Sequence, residues 1–389
     1  DGPCFAQQLG DILFHTFLWG LIIIVCLVAF FHLLASLSLR LTALTLLPPC
    51  FAFVCTLGVL KLIGHPLDIP SLMLAIVIFG MGDDYAIYTV YGYQWYRDFN
   101  HPSYLLVRTT VFMAAVSSLI GFGVLCFADH QILRSVGLIS TLGVSFSLVG
   151  AFLLLPPLLQ WYFAKDARKT LPKGASLAAR IIARYQTVEA FPRIFARSKL
   201  WLDPMFEDLP KMLSFAAHIR TIFDVGCGYG LPACWCLEQY PQAKIIGIDP
   251  DSQRVRVAKL ATGERGKILQ GWANEIPPVE GQVDLVLLLD MLHYLDNETL
   301  SLVLAHCASI LAPGGIAVIR HSQVLEKNRT WKWHLEDWRG RQVGLRAQYR
   351  CPAELEKLVI AQGLQVVVNQ ISGKDRELAW MVCQQRCEK

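Results

Sequence analysis

Charge is scarce in this chain. Only 17% of its 389 residues are Asp, Glu, Lys or Arg, while 54% are hydrophobic, and the mean hydropathy is +0.42. Such a composition excludes an ordinary soluble domain over the whole length and implies that part of the chain lies in lipid. Metal-ligand spacing is lacking as well. There are twelve cysteines, but no paired C-x-x-C and no His/Cys cluster of zinc type, so no metal is expected. Most of the cysteines read as small buried hydrophobes in a reducing compartment. Cys4 alone is expected on the extracytoplasmic side, in a disulfide with a part not contained here. The first apolar run has no basic stretch before it and is followed by others, which excludes a secretory signal. No base-binding module accompanies the basic residues, so nucleic acid is not an expected partner.

Apolar residues are concentrated at one end. Residues 12–163 read as a membrane domain with five spans, near 14–39, 41–63, 69–93, 104–127 and 136–163, each close to the ~20 residues a bilayer requires. Placing Lys165, Arg168, Lys169 and Lys173 in the cytoplasm puts Arg40 and Arg97 there too. Lys61 and Arg134 remain near the helix ends on the other side, as the positive-inside rule asks. The N-terminus is then outside, and the C-terminal domain is expected in the cytoplasm. The third span contains GMGDDYAIY, residues 80–88. Each intramembrane carboxylate costs about 2.5–3.5 kcal/mol on insertion scales, which points to proton or ion handling by Asp83 and Asp84. Neighbouring helical residues point about 100° apart, so the two carboxylates cannot face one partner. Gly80 and Gly82 permit close helix packing.

The joint is basic. Residues 165–199 hold nine Lys or Arg against Asp166 and Glu189, a net +7. Anionic membrane lipid is the expected partner of this linker, at about 1 kcal/mol per basic residue near the surface. Arg180/Arg184 and Arg193/Arg197 are i,i+4 pairs and form stripes on short helices. Aromatic residues lie between these charges, and the segment is expected to act as both lid and surface anchor.

Beyond the joint the pattern changes to alternating strand and helix. Strands are expected at Thr221–Val225, 244–248, 267–270, Val283–Leu289, 315–320, 364–370 and 377–384. The run VDLVLLL lacks polar alternation, as a strand buried on both faces should. Only ISGKDR separates the last two strands, too short for a crossover helix, so they pair antiparallel. The first strand leads into DVGCGYG, with Asp224, Gly226, Gly228 and Gly230, and the second ends at Asp249. Glycines there let a ligand approach the backbone, and an acid about 20 residues on can hold ribose hydroxyls. The spacing is D-x-G-x-G-x-G rather than the G-x-G-x-x-G of a pyrophosphate site.

This second region, about residues 209–385, resembles the class I S-adenosylmethionine-dependent methyltransferases, and DVGCGYG resembles their motif I. LAPGG, residues 311–315, is similar to their helix-to-strand turn before the fifth strand. The resemblance implies a Rossmann-like sheet of seven strands, mostly parallel with an antiparallel last strand. It also implies S-adenosyl-L-methionine as cofactor and an acceptor site at the carboxyl ends of the strands. Asp290 and His293, leaving the fourth strand, are then candidates for acceptor positioning or general base, with His321 after the fifth strand as a further candidate. In QGWANEIPP, Asn274 stands near where the family often has an acid on the adenine.

The GMGDDY element resembles the G-x-x-x-D-Y motif of MMPL-type exporters in the resistance-nodulation-division superfamily. That resemblance makes Asp84 and Tyr85 the proton-relay pair, with Asp83 an addition. It makes residues 1–11 the tail of a missing extracytoplasmic region, and the missing N-terminal half of the exporter a partner. The expected organisation is thus 1–11, then a five-helix α-helical membrane bundle at 12–163, a basic amphipathic linker and lid at 164–208, and the methyltransferase at 209–389. The expected function is methyl transfer to a hydrophobic small-molecule acceptor, aromatic or lipid-linked, fused to part of a proton-driven exporter of the product. The alternative is a membrane-anchored methyltransferase with no transport role. The combination is similar to proteins of aryl-polyene and xanthomonadin pigment pathways.

Overall fold

In the computed structural model the chain divides into two compact units, Asp1–Thr170 with Thr187–Ala190, and Leu171–Gln186 with Phe191–Lys389. The structure describes residues 2–65, 69–167, 174–276, 278–279, 281–322, 348–372 and 378–386, with side chains for these except 2–11, 13, 14, 69–77 and 165–167. The expected orientation signals at Lys165, Arg168, Lys169 and Lys173 lie outside the described side chains, as do Cys4 and residues 1–11.

The first unit is helical: α1 (Gly2–Ser36), α2 (Leu39–Leu62), α3 (Ile69–Tyr96), α4 (Pro102–Leu125), α5 (Gln131–Val149) and α6 (Leu155–Ala167). Ser38 caps α2 with its side chain, and His101 caps α4 ahead of a proline in the first turn, both accepting backbone N–H groups that have no helical partner. A single π-turn, Gly150–Leu154, joins α5 to α6. A Cβ on Gly150 would come 3.0 Å from Pro48 Cα, so the proline pair inside α2 packs directly against this bulge. Gly82 serves the close packing expected of it, since a Cβ there would overlap Ser147 of α5, whereas Gly80 has nothing within 4 Å.

Among the described residues, four helical segments are long and apolar enough to cross a membrane: His15–Ser36, Leu39–Leu62, Pro102–Leu125 and Gln131–Ala164. The expectation was five. The described part of α3 carries Asp83, Asp84, Thr89 and Gln94, which lower its apolar content, and it is not among the four. The last segment begins before the expected residue 136 and runs through the π-turn as one element.

The second unit opens with α7 (Leu177–Arg184), α8 (Ala190–Leu202) and α9 (Met205–Leu213), and then alternates strand and helix. Its strands are β1 (Thr221–Val225), β2 (Lys244–Asp249), β3 (Gly266–Gln270), β4 (Val283–Leu289), β5 (Leu311–Ser322), β6 (Leu364–Ile371) and β7 (Leu378–Gln385). Between them lie α10 (Leu231–Gln239), α11 (Ser252–Thr262), α12 (Asn297–Ile310) and α13 (Pro352–Ala361). One seven-stranded sheet has the order β3-β2-β1-β4-β5-β7-β6. β1 to β5 are parallel. β7 enters antiparallel between β5 and β6. Strand β4 is buried along almost its whole length, as its unbroken apolar run requires.

The largest departure from the expected strand bounds is in β5, which spans Leu311–Ser322 rather than 315–320, while the other strands differ by one residue or not at all. LAPGG is not simply a turn before β5. Leu311 already pairs with Val283, and the register then shifts before Ile316 meets Leu285. Gly314 sits at φ +79°, and a Cβ on Gly315 would come 2.9–3.1 Å from three backbone oxygens. The glycines build a bulge inside the strand, where only residues without a Cβ fit.

Candidate active site

The glycine turn after β1 is tied to the end of β2. Gly226 N and Cys227 N both donate to Ile248 O, at 2.8 and 3.0 Å. Gly226, Gly228 and Gly230 all have positive φ, of 72°, 55° and 75°, but their surroundings differ. A Cβ on Gly226 would stand 3.1 Å from Met291, and one on Gly230 3.0 Å from Ala258 of α11. At Gly228 it would meet nothing within 4 Å. Two of the glycines are therefore demanded by packing, and Gly228 leaves open space at the turn.

Two acids stand beside this turn. Asp249 is 3% exposed. Its Oδ2 accepts from Gly228 N at 2.8 Å and its Oδ1 from Asp251 N at 3.0 Å. Each oxygen keeps a further lone pair for a ligand hydroxyl. Burial nevertheless raises its pKa against the pull of those bonds. Asp224 is 2% exposed, and its Oδ2 has no hydrogen-bond partner among the described residues. Burial and then the Asp249 carboxylate push its pKa up to about 7, against the charge of Lys199. Asn274 lies on an exposed turn beyond β3, closed by Glu275 N donating to Trp272 O at 3.0 Å.

A second group gathers where β4 and β5 end. Asp290 has φ +57°, uncommon for a residue with a Cβ, and its N donates to Arg320 O at 3.0 Å. Its carboxylate lies 3.3 Å from Lys199 Nζ and 3.3 Å from Arg320 Nε. Burial alone would raise its pKa, but Arg320, Lys199 and His293 together hold it below the usual value. It is an anion fixed between cations, better suited to positioning than to taking a proton. Arg320 also donates to Asp203 Oδ1 at 2.7 Å, and Lys199 Nζ is 3.6 Å from Asp203 Oδ2.

His293 sits on a 3-10 turn, Leu292–Tyr294, and is 6% exposed. Burial lowers its pKa to about 4, so the ring is neutral at pH 7. Its Nδ1 has no hydrogen-bond partner among the described residues, and neither has His321 Nε2. His321 is likewise held neutral by burial, and its charge state is felt at His293. Tyr349 stacks on His293 with ring centroids 5.6 Å apart. Arg350 locks the turn from the same side, with bonds to Leu292 O at 3.0 Å, Leu295 O at 2.6 Å and Asn297 Oδ1 at 2.7 Å.

Residues 222–315 match a family model described as a methyltransferase domain. A ubiquinone biosynthesis O-methyltransferase of Rhodopseudomonas palustris (strain BisB18) is 32% identical over 133 residues, which is 33% of this chain and 47% of that protein. The chain contains a class I S-adenosylmethionine-dependent methyltransferase domain. A trans-aconitate 2-methyltransferase of Azoarcus sp. (strain BH72) is 29% identical over 139 residues, 34% of this chain and 52% of that protein. Among solved structures, magnesium protoporphyrin IX methyltransferase from Synechocystis PCC 6803 with bound SAH is 15% identical, with a TM-score of 0.36 over 58% of this chain and 93% of that one. The chain spans about half the length of these two curated relatives.

The residues present fit the methyltransferase cofactor. Gly228 leaves room at the turn, Asp249 offers lone pairs suited to ribose hydroxyls, and Asp224 presents an unpartnered carboxylate oxygen suited to an ammonium. The sequence motif located all of these. It did not reveal Lys199, Asp203, Arg320, Tyr349 or Arg350, which reach the site from distant segments. The basic stripe offered a partial signal, because the linker helices pack on the methyltransferase domain itself. Arg180 and Arg184 pair with Glu238 of α10 at 2.9 and 2.6 Å. Tyr185 donates to Tyr229 O in the glycine turn at 2.8 Å, and Phe195 packs edge-on to the Tyr229 ring at 5.3 Å. Two of the four stripe arginines expected on lipid are therefore held by protein.

In the helical unit, Asp83 is 7% exposed and its Oδ2 lies 2.7 Å from His32 Nε2 of α1. Asp84 is on the exposed side of α3. Tyr85 packs among Val111, Ala115, Val144 and Ala151. The expected pair Asp84–Tyr85 and the added Asp83 thus occupy three different environments, and His32 is a polar partner that the motif did not indicate.

Proposed function

We propose that this methyltransferase domain transfers the methyl group to a hydroxyl of a hydrophobic acceptor, aromatic or lipid-linked, with His293 receiving the hydroxyl proton. The observation that carries this reading is the pair of buried, neutral histidines with unpartnered ring nitrogens at the ends of β4 and β5. A neutral imidazole accepts a hydrogen bond from a hydroxyl at any pH above its pKa. His321 positions the acceptor beside it, and stacked Tyr349 supplies an aromatic wall. When bound, S-adenosylmethionine supplies a methyl group already activated by its sulfonium. The protein's own task is alignment and proton removal. Asp224, Gly226, Gly228, Gly230 and Asp249 hold the cofactor, with Asn274 near its adenine. Similarity to a ubiquinone biosynthesis O-methyltransferase supports oxygen as the receiving atom.

The helical unit, in this reading, is part of a proton-driven exporter of the methylated product at the bacterial inner membrane, completed by a partner half. Apart from Lys199 and the two arginines held by Glu238, the basic linker residues contact anionic lipid. What favours export over a simple anchor is the buried pair of Asp83 and His32 on a helix that also carries Asp84 and Tyr85, because burying an ionisable pair is costly and an anchor gains nothing by it. The test is methyl transfer from labelled cofactor to a panel of phenols and lipid-linked phenols by the full chain in detergent. Methylated product with wild type and its loss in His293→Ala, with cofactor binding unchanged, support the reading. Transfer to carbon, or equal rates in both proteins, overturns it.

A further inference from the structure

The methionine end of S-adenosylmethionine carries an ammonium and a carboxylate. Asp224 suits the first. The second requires a cation or free N–H groups. Among the described residues, the two cations beside Asp290 are Arg320 and Lys199. Arg320 is 3% exposed, bonded to Asp203 at 2.7 Å, with its guanidinium 5.5 Å from the Trp380 ring centroid. It is committed to the fold.

Lys199 is placed differently. Its Nζ is 3.3 Å from Asp290 Oδ2 and 3.6 Å from Asp203 Oδ2, both longer than the ~2.7–2.9 Å of a committed charge-assisted bond. Its side chain retains 23% of its exposure. Its charge reaches Asp224 on the strand before the glycine turn. The ammonium is shared between two carboxylates at ion-pair range and saturates neither.

The helix that carries it explains the placement. Phe195, Lys199 and Asp203 are spaced four apart and follow one face of α8 and its end. Phe195 packs on Tyr229 of the glycine turn, and Asp203 is pinned by Arg320. Between these two fixed points the chain delivers Lys199 to the space between β1 and β4.

We propose that Lys199 is a cofactor-binding residue that holds the carboxylate of the methionine part of S-adenosylmethionine, with Asp203 and Arg320 fixing the helix that carries it. The proposal rests on that molecule being the cofactor. On binding, the ammonium of Lys199 turns from Asp290 to the ligand carboxylate, and Asp290 remains neutralised by Arg320.

The experiment is calorimetric titration of the full chain in detergent with S-adenosylmethionine, S-adenosylhomocysteine and decarboxylated S-adenosylmethionine. The last keeps sulfonium and ammonium but lacks the carboxylate. Lys199→Met should weaken the first two about ten- to hundred-fold, the effect of one lost charged hydrogen bond. It should change the decarboxylated ligand by less than about twofold, because no carboxylate contact exists to lose. Lys199→Arg should restore most of the affinity. Equal losses for all three ligands would mean that the lysine only holds α8 in place, and no loss for any would remove it from the site; either result overturns the proposal. If Lys199→Met does not fold, Lys199→Gln, which keeps a donor without the charge, is read by the same criterion. Wild type that binds none of the three overturns the cofactor assignment itself. Wild type that binds the decarboxylated ligand as tightly as the cofactor overturns the Lys199 assignment alone.

Discussion

Cofactor binding should expel a proton, and the group that releases it is Asp224. Burial, then Asp249, pushes its carboxyl up to about 7 in the free protein. A cationic ammonium beside Oδ2 favours the ionised form, so binding lowers this pKa. Below pH 7 the ligand must first displace the proton. The dissociation constant is then expected to rise towards tenfold per pH unit, about fiftyfold between pH 7 and 5. Burial lowers His293 to about 4, below the range of the titration, and lowers His321 as well. Stability without ligand should move in the opposite direction. A carboxyl with a folded pKa above its unfolded value of about 4 stabilises the fold fully below pH 4 and loses that contribution as pH rises towards 7. Titration calorimetry in two buffers of different ionisation enthalpy gives the proton count directly. Close to one proton released at pH 6, and none in Asp224→Asn, is the expected result. A dissociation constant that stays flat from pH 5 to 7.5, with no buffer dependence, would refute the role given to Asp224.

Gly228→Val should abolish cofactor binding while leaving membrane insertion of the helical unit intact, because the new side chain fills the open space at the turn; equal retention of labelled cofactor would refute this. Asp249→Ala should weaken the cofactor severely in the same titration and also loosen the turn, since Gly228 N loses its acceptor. His293→Ala should lower kcat about 10²–10⁴-fold and leave the cofactor dissociation constant unchanged. The wild-type rate should show no acid limb near pH 6.5 from this residue, because its pKa is about 4. On the proposed export role, Asp84→Asn in the protein joined to its partner half should stop export and leave methylation in detergent unchanged; export at the wild-type rate would transfer the test to Asp83 and its partner His32.

Much of the sheet was legible in the residues because strands and glycine turns are written locally. The run VDLVLLL read as a strand buried on both faces, DVGCGYG as a tight glycine turn after a strand, and ISGKDR was too short to cross the sheet. Each signal needs fewer than ten neighbouring residues, and β1 and β4 have the expected bounds. The start of β5 was not legible, because the pairing of Leu311 with Val283 across the LAPGG bulge depends on a strand that lies elsewhere in the chain. The same limit applies to the site. Composition and periodicity divided the chain into an apolar region and an alternating strand-helix region, and they marked Asp224 and Asp249 as candidate cofactor acids, since these sit at strand ends. They could not bring Asp203 to Arg320, 117 residues apart, or Arg184 to Glu238, 54 apart. Nor could they tell that Asp83 faces His32 while Asp84 faces outward. A side chain's charge state and partners depend on what the fold packs around it, and a buried ion pair forms only where tertiary structure removes water from both members at once.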